Sequence, residues 1–134
     1  MIALDASVLI AHLSPFDAHH AAATDILLAA SPGSMLVHPL TLAEVLVGGV
    51  RIGRGAAMRD DLQAAGVAVV PQDAEGPLRL AELRVSTGLK LPDCCVLDVA
   101  LRHSAALATF DAALGAAANG RGVALLPPRD VQHG

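Results

Sequence analysis

Apolar positions come along this chain in two kinds of run. Short apolar runs recur at residues 1–4, 35–38, 67–70, 106–110 and 123–126. They are continuous, without the alternation of a half-wet strand, as expected of strands covered on both faces. Between them lie longer Ala/Leu-rich segments, 16–30, 41–49, 53–66, 73–88 and 93–103, with helix start and stop signals at Thr41, Asp73, Gly66 and Gly88. Strands alternating with helices predict an α/β fold with a mostly parallel five-stranded sheet flanked by helices. No repeat, linker or low-complexity block interrupts the pattern, so residues 1–134 are expected to form a single domain with a short irregular tail over 127–134.

Composition narrows the classes. The chain is 54% hydrophobic and 16% charged, which argues for a folded domain. It has no Trp or Tyr and two Phe, Phe16 and Phe110, so a nucleic-acid surface built on the usual aromatic platforms is excluded. The net charge of −4 excludes a polycationic tail. Arg51, Arg54 and Arg59 are the one local basic concentration, and their spacing fits a solvated helix face. Cys94 and Cys95 are adjacent, a poor arrangement for a disulfide, and read as buried apolar residues of a reduced, cytoplasmic protein. The first apolar run has no basic flank and is interrupted by Asp5, so no export signal is expected. Charges and prolines break the other runs before they reach the ~20 residues of a membrane span.

The acids carry the candidate chemistry. In an open parallel sheet, ligands bind at the carboxyl ends of the strands. Asp5 ends the first strand and Asp111 follows the fourth, while Glu44 lies in the helix after the second strand and Asp93 at the start of the helix before the fourth. All four can converge on one edge. Each also has a structural explanation: Asp93 and Asp111 as helix N-caps worth ~1 kcal/mol, Glu44 as an exposed helix residue. Asp5 is harder to explain that way, because it interrupts an apolar run where an unpaired buried carboxylate is costly. Asp98 reads as scaffold, paired with Arg102 one helical turn on. Two carboxylates ~5 Å apart at an effective dielectric of ~20 repel by roughly 3 kcal/mol, so a shared site calls for a compensating cation. An all-oxygen donor set suits Mg²⁺, or Mn²⁺ as a substitute, better than zinc.

The segments "IALDASVLIA", "TLAEVLVG" and "LKLPDCCVLDVALRHSAALATFDAAL", in this order and spacing, closely resemble the PIN-domain ribonucleases, in particular the VapC-type toxins of bacterial toxin–antitoxin pairs. The resemblance spans nearly the whole chain. It implies a PIN-like three-layer domain and a Mg²⁺-dependent endoribonuclease, with Asp5, Glu44, Asp93 and Asp111 as the metal-binding acids. By the same resemblance, Ser7 and Thr109 are hydroxyls beside the acids. Also implied are an RNA substrate, a cognate VapB-type antitoxin covering the acid cleft, and a homodimer. Asp98 stands where the family more often has a small apolar residue, which leaves it as either a scaffold ion pair or an accessory acid.

Two other readings stay open at this level. A receiver-like or haloacid-dehalogenase-like phosphotransfer domain also places an Asp after its first strand, there as a covalent nucleophile. The dehalogenase-like pattern has a second Asp where this chain has Ser7, and the single lysine, Lys90, precedes a helix instead of ending a late strand. A catalytically silent PIN-like binding module is the other reading, against which the full set of acids speaks. His19 and His20 are adjacent, point in different directions on a helix, and are expected on a solvated face.

Overall fold

Alternate residues of the central strand point to opposite sides of a sheet: Ala3 packs into one apolar cluster and Leu4 into another. A computed structural model describes residues 1–128. The expected tail at 127–134 therefore falls mostly outside the described residues. Five strands, β1 (Ile2–Leu4), β2 (Met35–Val37), β3 (Val67–Val69), β4 (Ala106–Ala108) and β5 (Leu125–Leu126), form one sheet in the order β3-β2-β1-β4-β5, with every pair parallel. The expected strands are present but shorter by one to two residues. Residues past their ends turn away to supply caps and site residues, as His38 does by capping the following helix.

Seven helices accompany the sheet: α1 (Ala6–Leu13), α2 (His20–Ala29), α3 (Pro39–Arg51), α4 (Gly55–Ala64), α5 (Gly76–Thr87), α6 (Leu91–Arg102) and α7 (Ala112–Gly120). Leu4, Met35, Val37 and Ala108 meet Val8 and Leu9 of α1, Ala23 of α2, Val45 of α3 and Leu62 of α4 on one face. Ala3 and Leu107 meet Leu83 of α5, Leu97 of α6 and Leu114 of α7 on the other. Over β1, β2 and β4 both faces are covered, which is why these strands read as apolar runs, whereas Ala68 and Val69 of the edge strand β3 are exposed. Burying each large aliphatic side chain contributes roughly 1.5–3 kcal/mol, so Leu4, Leu9, Leu97, Leu107 and Leu114, all fully buried, anchor the two layers.

Helix α1 is not distinguished by the apolar periodicity, because only Asp5, Ala6 and Ser7 separate its buried Val8, Leu9 and Ala11 from the strand. Asp5 starts it by accepting the Ala6 N–H. Thr41 does not start α3; it lies inside the helix, fully buried, and its hydroxyl has no hydrogen-bond partner. Asp73 lies ahead of α5, whose N-cap position is Glu75. Gly88 ends α5 in the left-handed conformation, φ 73°, which a side chain would strain. Cys94 and Cys95 are buried free thiols, and Arg51, Arg54 and Arg59 all face solvent.

The strand order reverses at β1: the chain first builds outward through β2 and β3, then crosses back to lay β4 and β5 on the other side. The switch point lies between β1 and β4, where an open parallel sheet leaves a crevice at its carboxyl edge.

Candidate active site at the carboxyl edge of the sheet

The pairing of Leu4 with Ala108 brings the residues that follow each strand together at this crevice. Asp5 is buried, and both of its carboxylate oxygens are engaged. Oδ1 accepts from the Ala6 N–H at 2.9 Å. Oδ2 accepts from Ser7 Oγ and from Thr109 Oγ1, each at 2.7 Å. The two hydroxyls in turn accept backbone donors from the β4–α7 connection, Ser7 from Phe110 N–H at 3.1 Å and Thr109 from Asp111 N–H at 2.9 Å. A closed network thus ties Asp5 to the loop carrying Asp111. Asp111 does not follow β4 directly; Thr109 and Phe110 intervene and form that link.

Asp111 caps α7 through its Oδ1, which accepts the Leu114 N–H at 2.9 Å. Asp93 is not a cap: Lys90 holds that position, Pro92 occupies the first turn where its missing N–H costs nothing, and Asp93 stands in the same turn. Its carboxyl is pushed up by burial and by the like charges of Asp111 and Asp5, against a pull downward from Lys90. Glu44, on the outer side of α3, is pushed up by lost hydration and then by Asp5 and Asp93. Glu44 and Asp93 therefore both carry the like-charge influence of the neighbouring acids. Lys90 offsets part of this repulsion at Asp93.

The donor set is carboxylate oxygen throughout, and like-charge strain of this kind is what a hard divalent cation relieves. The residues fit such an ion chemically. Among the described residues, no group of three or more Asp, Glu, His or Cys side chains is placed closely enough to hold a metal ion as it stands. The outer acids, Glu44 and Asp93, would therefore draw in toward an ion, while Asp5 is held in place by its hydroxyls.

Asp98 stands apart from this network. It is buried, and its partner is Arg79 of α5, not Arg102: Arg79 Nε reaches Asp98 Oδ1 at 2.9 Å and Nη2 reaches Oδ2 at 3.2 Å. Arg102, the expected helical partner, turns to Asp73 Oδ2 at 2.8 Å. Asp73 also takes two hydrogen bonds from Arg79, and these bonds hold its carboxyl down at about 2. The bidentate geometry of Arg79 explains the exchange, because one planar fork serves both carboxylates.

The histidines are not simply a solvated face. His20 Nδ1 bonds the Ala11 carbonyl at 2.9 Å and its ring stacks over His12 with centroids 6.4 Å apart. His19 is exposed but stacks on Phe110, with centroids 4.3 Å apart and planes 11° apart, at the rim of the acid site. Neither this stack nor the influence of Lys90 on Asp93 follows from spacing. The nearest hints are that Phe110 lies between Thr109 and Asp111 and that Lys90 is three residues before Asp93.

Fold and site together define an α/β domain with an acidic site at the carboxyl edge of an all-parallel sheet. The family model of the PIN domain matches residues 2–120, and the chain belongs to that family. Among solved structures, a chain of a toxin–antitoxin complex from Klebsiella pneumoniae is 25% identical with a TM-score of 0.69, the match covering 82% of this chain and 85% of that one. The VapC20 toxin of Mycobacterium tuberculosis, which cleaves the sarcin–ricin loop, shares the fold at 21% identity and a TM-score of 0.72, over 87% of this chain and 95% of that one. FitAcB from Neisseria gonorrhoeae does so at 20% identity and a TM-score of 0.65, over 93% and 96%. No curated protein sequence matches the chain significantly.

Proposed function

We propose that this protein is a divalent-metal-dependent endoribonuclease, the toxin of a VapBC-type pair, with Asp5, Glu44, Asp93 and Asp111 as the metal-holding acids. The observation that carries the reading is the raised carboxyls of Glu44 and Asp93, pushed up by burial and by the neighbouring acids at the switch point of a PIN domain. The likeness to a chain of the Klebsiella toxin–antitoxin complex and to VapC20 supports the toxin assignment. A Mg²⁺ or Mn²⁺ ion bound by the acids would orient the scissile phosphate and lower the pKa of the attacking water. Ser7 and Thr109 fix the Asp5 rotamer by donating to a single oxygen. The raised carboxyls of Glu44 and Asp93 would release protons when the cation binds, which makes affinity rise with pH. Lys90, exposed next to Asp93, supplies a positive charge for the RNA backbone.

The phosphotransfer alternative needs a carboxylate oxygen of Asp5 free to attack. Here Oδ1 serves the α1 N-terminus and Oδ2 accepts two hydroxyls, an arrangement that favours a positioned ligand over a nucleophile. An antitoxin arginine would complement the acids, since its forked guanidinium matches carboxylates. A homodimer is part of the same reading. No helix among the described residues is long and apolar enough to cross a membrane.

The test is cleavage of RNA by the purified protein with Mg²⁺, with Mn²⁺ and with chelator, followed by analysis of the ends. Attack by water with departure of the 3′ oxygen leaves a 3′-hydroxyl and a 5′-phosphate. Cyclic-phosphate ends would instead mean that the substrate's 2′-hydroxyl attacks. Expression of the chain alone should arrest growth, and co-expression of the cognate antitoxin should relieve it.

A further inference from the structure

Next to the acids, the β4–α7 connection and β5 enclose an open groove of about 330 Å³, at the lower end of the ~300–1,000 Å³ typical of small-molecule sites. Its wall includes Phe110, Asp111, Gly115, Ala116, Leu125 and Pro127. We propose that this groove is a nucleobase subsite, which holds the base of a nucleotide flanking the phosphate bound at the acids. The inference rests on the ribonuclease reading above and names how that site grips RNA.

Three observations converge on a base as the occupant. Asp111 itself lines the groove, so a nucleotide whose phosphate lies at the acids can reach it with its base. Phe110, one of two Phe in a chain without Trp or Tyr, lines it, half-buried against the core on the α1–α2 side and with the parallel ring of His19 at 4.3 Å. Two Phe cannot build the repeated aromatic platforms that the composition excludes, but one flat ring suffices to stack a single RNA base. The third observation is Gly115. In the middle of α7 a glycine costs up to ~1 kcal/mol relative to alanine, and its neighbours in the sequence are Leu114, Ala116 and Ala117. No steric demand explains it: a Cβ there would meet only Leu125 Cδ1 at 3.7 Å and Thr109 Cγ2 at 3.9 Å, ordinary contacts. It would, however, narrow the groove from its floor. The glycine keeps space where helix propensity favours filling it.

The groove is best probed with neutral nucleosides, which the acids do not repel and which bind without a metal. The ¹⁵N-labelled protein is titrated with uridine, cytidine, adenosine and guanosine, with ribose as the base-free control. At least one nucleoside is expected to shift the amides of residues 110–116, and ribose to leave them unmoved. Ala116→Leu, which fills the groove from an exposed helix position, and Phe110→Leu, which keeps the apolar volume but removes the ring, should each weaken that binding at least about fivefold, the low end of base–aromatic stacking. Gly115→Ala should weaken binding while raising the thermal midpoint, a combination that a purely structural role would not produce. Nucleosides that shift nothing here, or whose binding Ala116→Leu leaves unchanged, would overturn the subsite. RNA cleavage by the same preparation is scored separately. Cleavage without nucleoside binding sinks this inference alone, and nucleoside binding without cleavage supports it while sinking the ribonuclease reading.

Discussion

Thr109 Oγ1 donates a 2.7 Å hydrogen bond to Asp5 Oδ2 across 104 positions of sequence, and the same hydroxyl accepts the N–H of Asp111. One side chain thus sets the distance between two acids carried by neighbouring strands. Ser7 repeats the device from the other side, bridging Asp5 to the Phe110 N–H. The site is organised from its buried end outward, with Asp5 held and Glu44 and Asp93 freer to move.

Replacing the hydroxyl tests this arrangement. Thr109→Val removes a donor to Asp5 and leaves the Asp111 N–H without its acceptor, at a cost of about 1–2 kcal/mol. RNA cleavage is expected to fall at least about tenfold in a protein that still folds cooperatively. Circular dichroism melts and initial rates measured on the same sample check both parts, and unchanged rates would mean that the network does not position Asp5.

Asp5→Asn and Asp93→Asn should each reduce cleavage at least about a hundredfold, yet move stability in opposite directions. Asp5 accepts two hydroxyls on one oxygen and the Ala6 N–H on the other, and an amide would set its NH2 donor against a donor at one of these positions, so its midpoint should fall. Asp93 is strained by like charges, so without divalent ions its replacement should raise the midpoint by about 1–3 °C, as expected for a partly exposed charge interaction below ~1 kcal/mol. The sign follows from linkage. A carboxyl raised in the folded state binds more protons there than in the unfolded chain, so its ionisation destabilises the fold as pH rises through the raised value. The gain from Asp93→Asn should therefore be full at pH 7 and vanish below the ordinary carboxylate range. Melts of wild type and variant across pH 3–7 read this directly.

Divalent ions should act in the reverse sense. Binding to the folded chain alone stabilises it by mass action, about 2.7 kcal/mol at a hundred times the dissociation constant. Mg²⁺ or Mn²⁺ should raise the wild-type midpoint, chelator should restore it, and the Asp93→Asn variant should show little response. A wild-type midpoint indifferent to all three conditions would remove the case for a shared metal site.

Asp98 should prove structural. Asp98→Asn breaks a charged fork between α5 and α6 and leaves Arg79 with Asp73 alone, lowering the midpoint by about 3–6 °C while retaining most cleavage activity. Arg102→Ala should not reproduce the loss at Asp98, because its partner is Asp73. A double-mutant cycle between Arg79 and Asp98 isolates the coupling, and an inactive Asp98→Asn of normal stability would move that residue into the site.

The apolar runs that open at Met1 and at Ala106, the helical segments between strands and the acid at the end of the first strand were all legible along the chain. Each reflects burial or its absence, and burial is recorded position by position in residue type. Sequence alone thus determined the alternation of strand and helix, the parallel sheet, and the four acids with their two hydroxyls as candidates. What only the tertiary structure decided is which groups meet. Arg102 lies one turn from Asp98, the favoured local pairing, yet Arg79 takes that carboxylate and Arg102 turns to Asp73, because packing α5 against α6 offers a bidentate partner that helical spacing does not contain. Helix α1 was hidden because only Asp5, Ala6 and Ser7 separate its buried face from β1. The link from Thr109 to Asp5 and the stack of His19 on Phe110 join segments that are distant in the chain. The reversal of strand order at β1 brings the first of these pairs together, and nothing in either local segment records which distant neighbour it will meet.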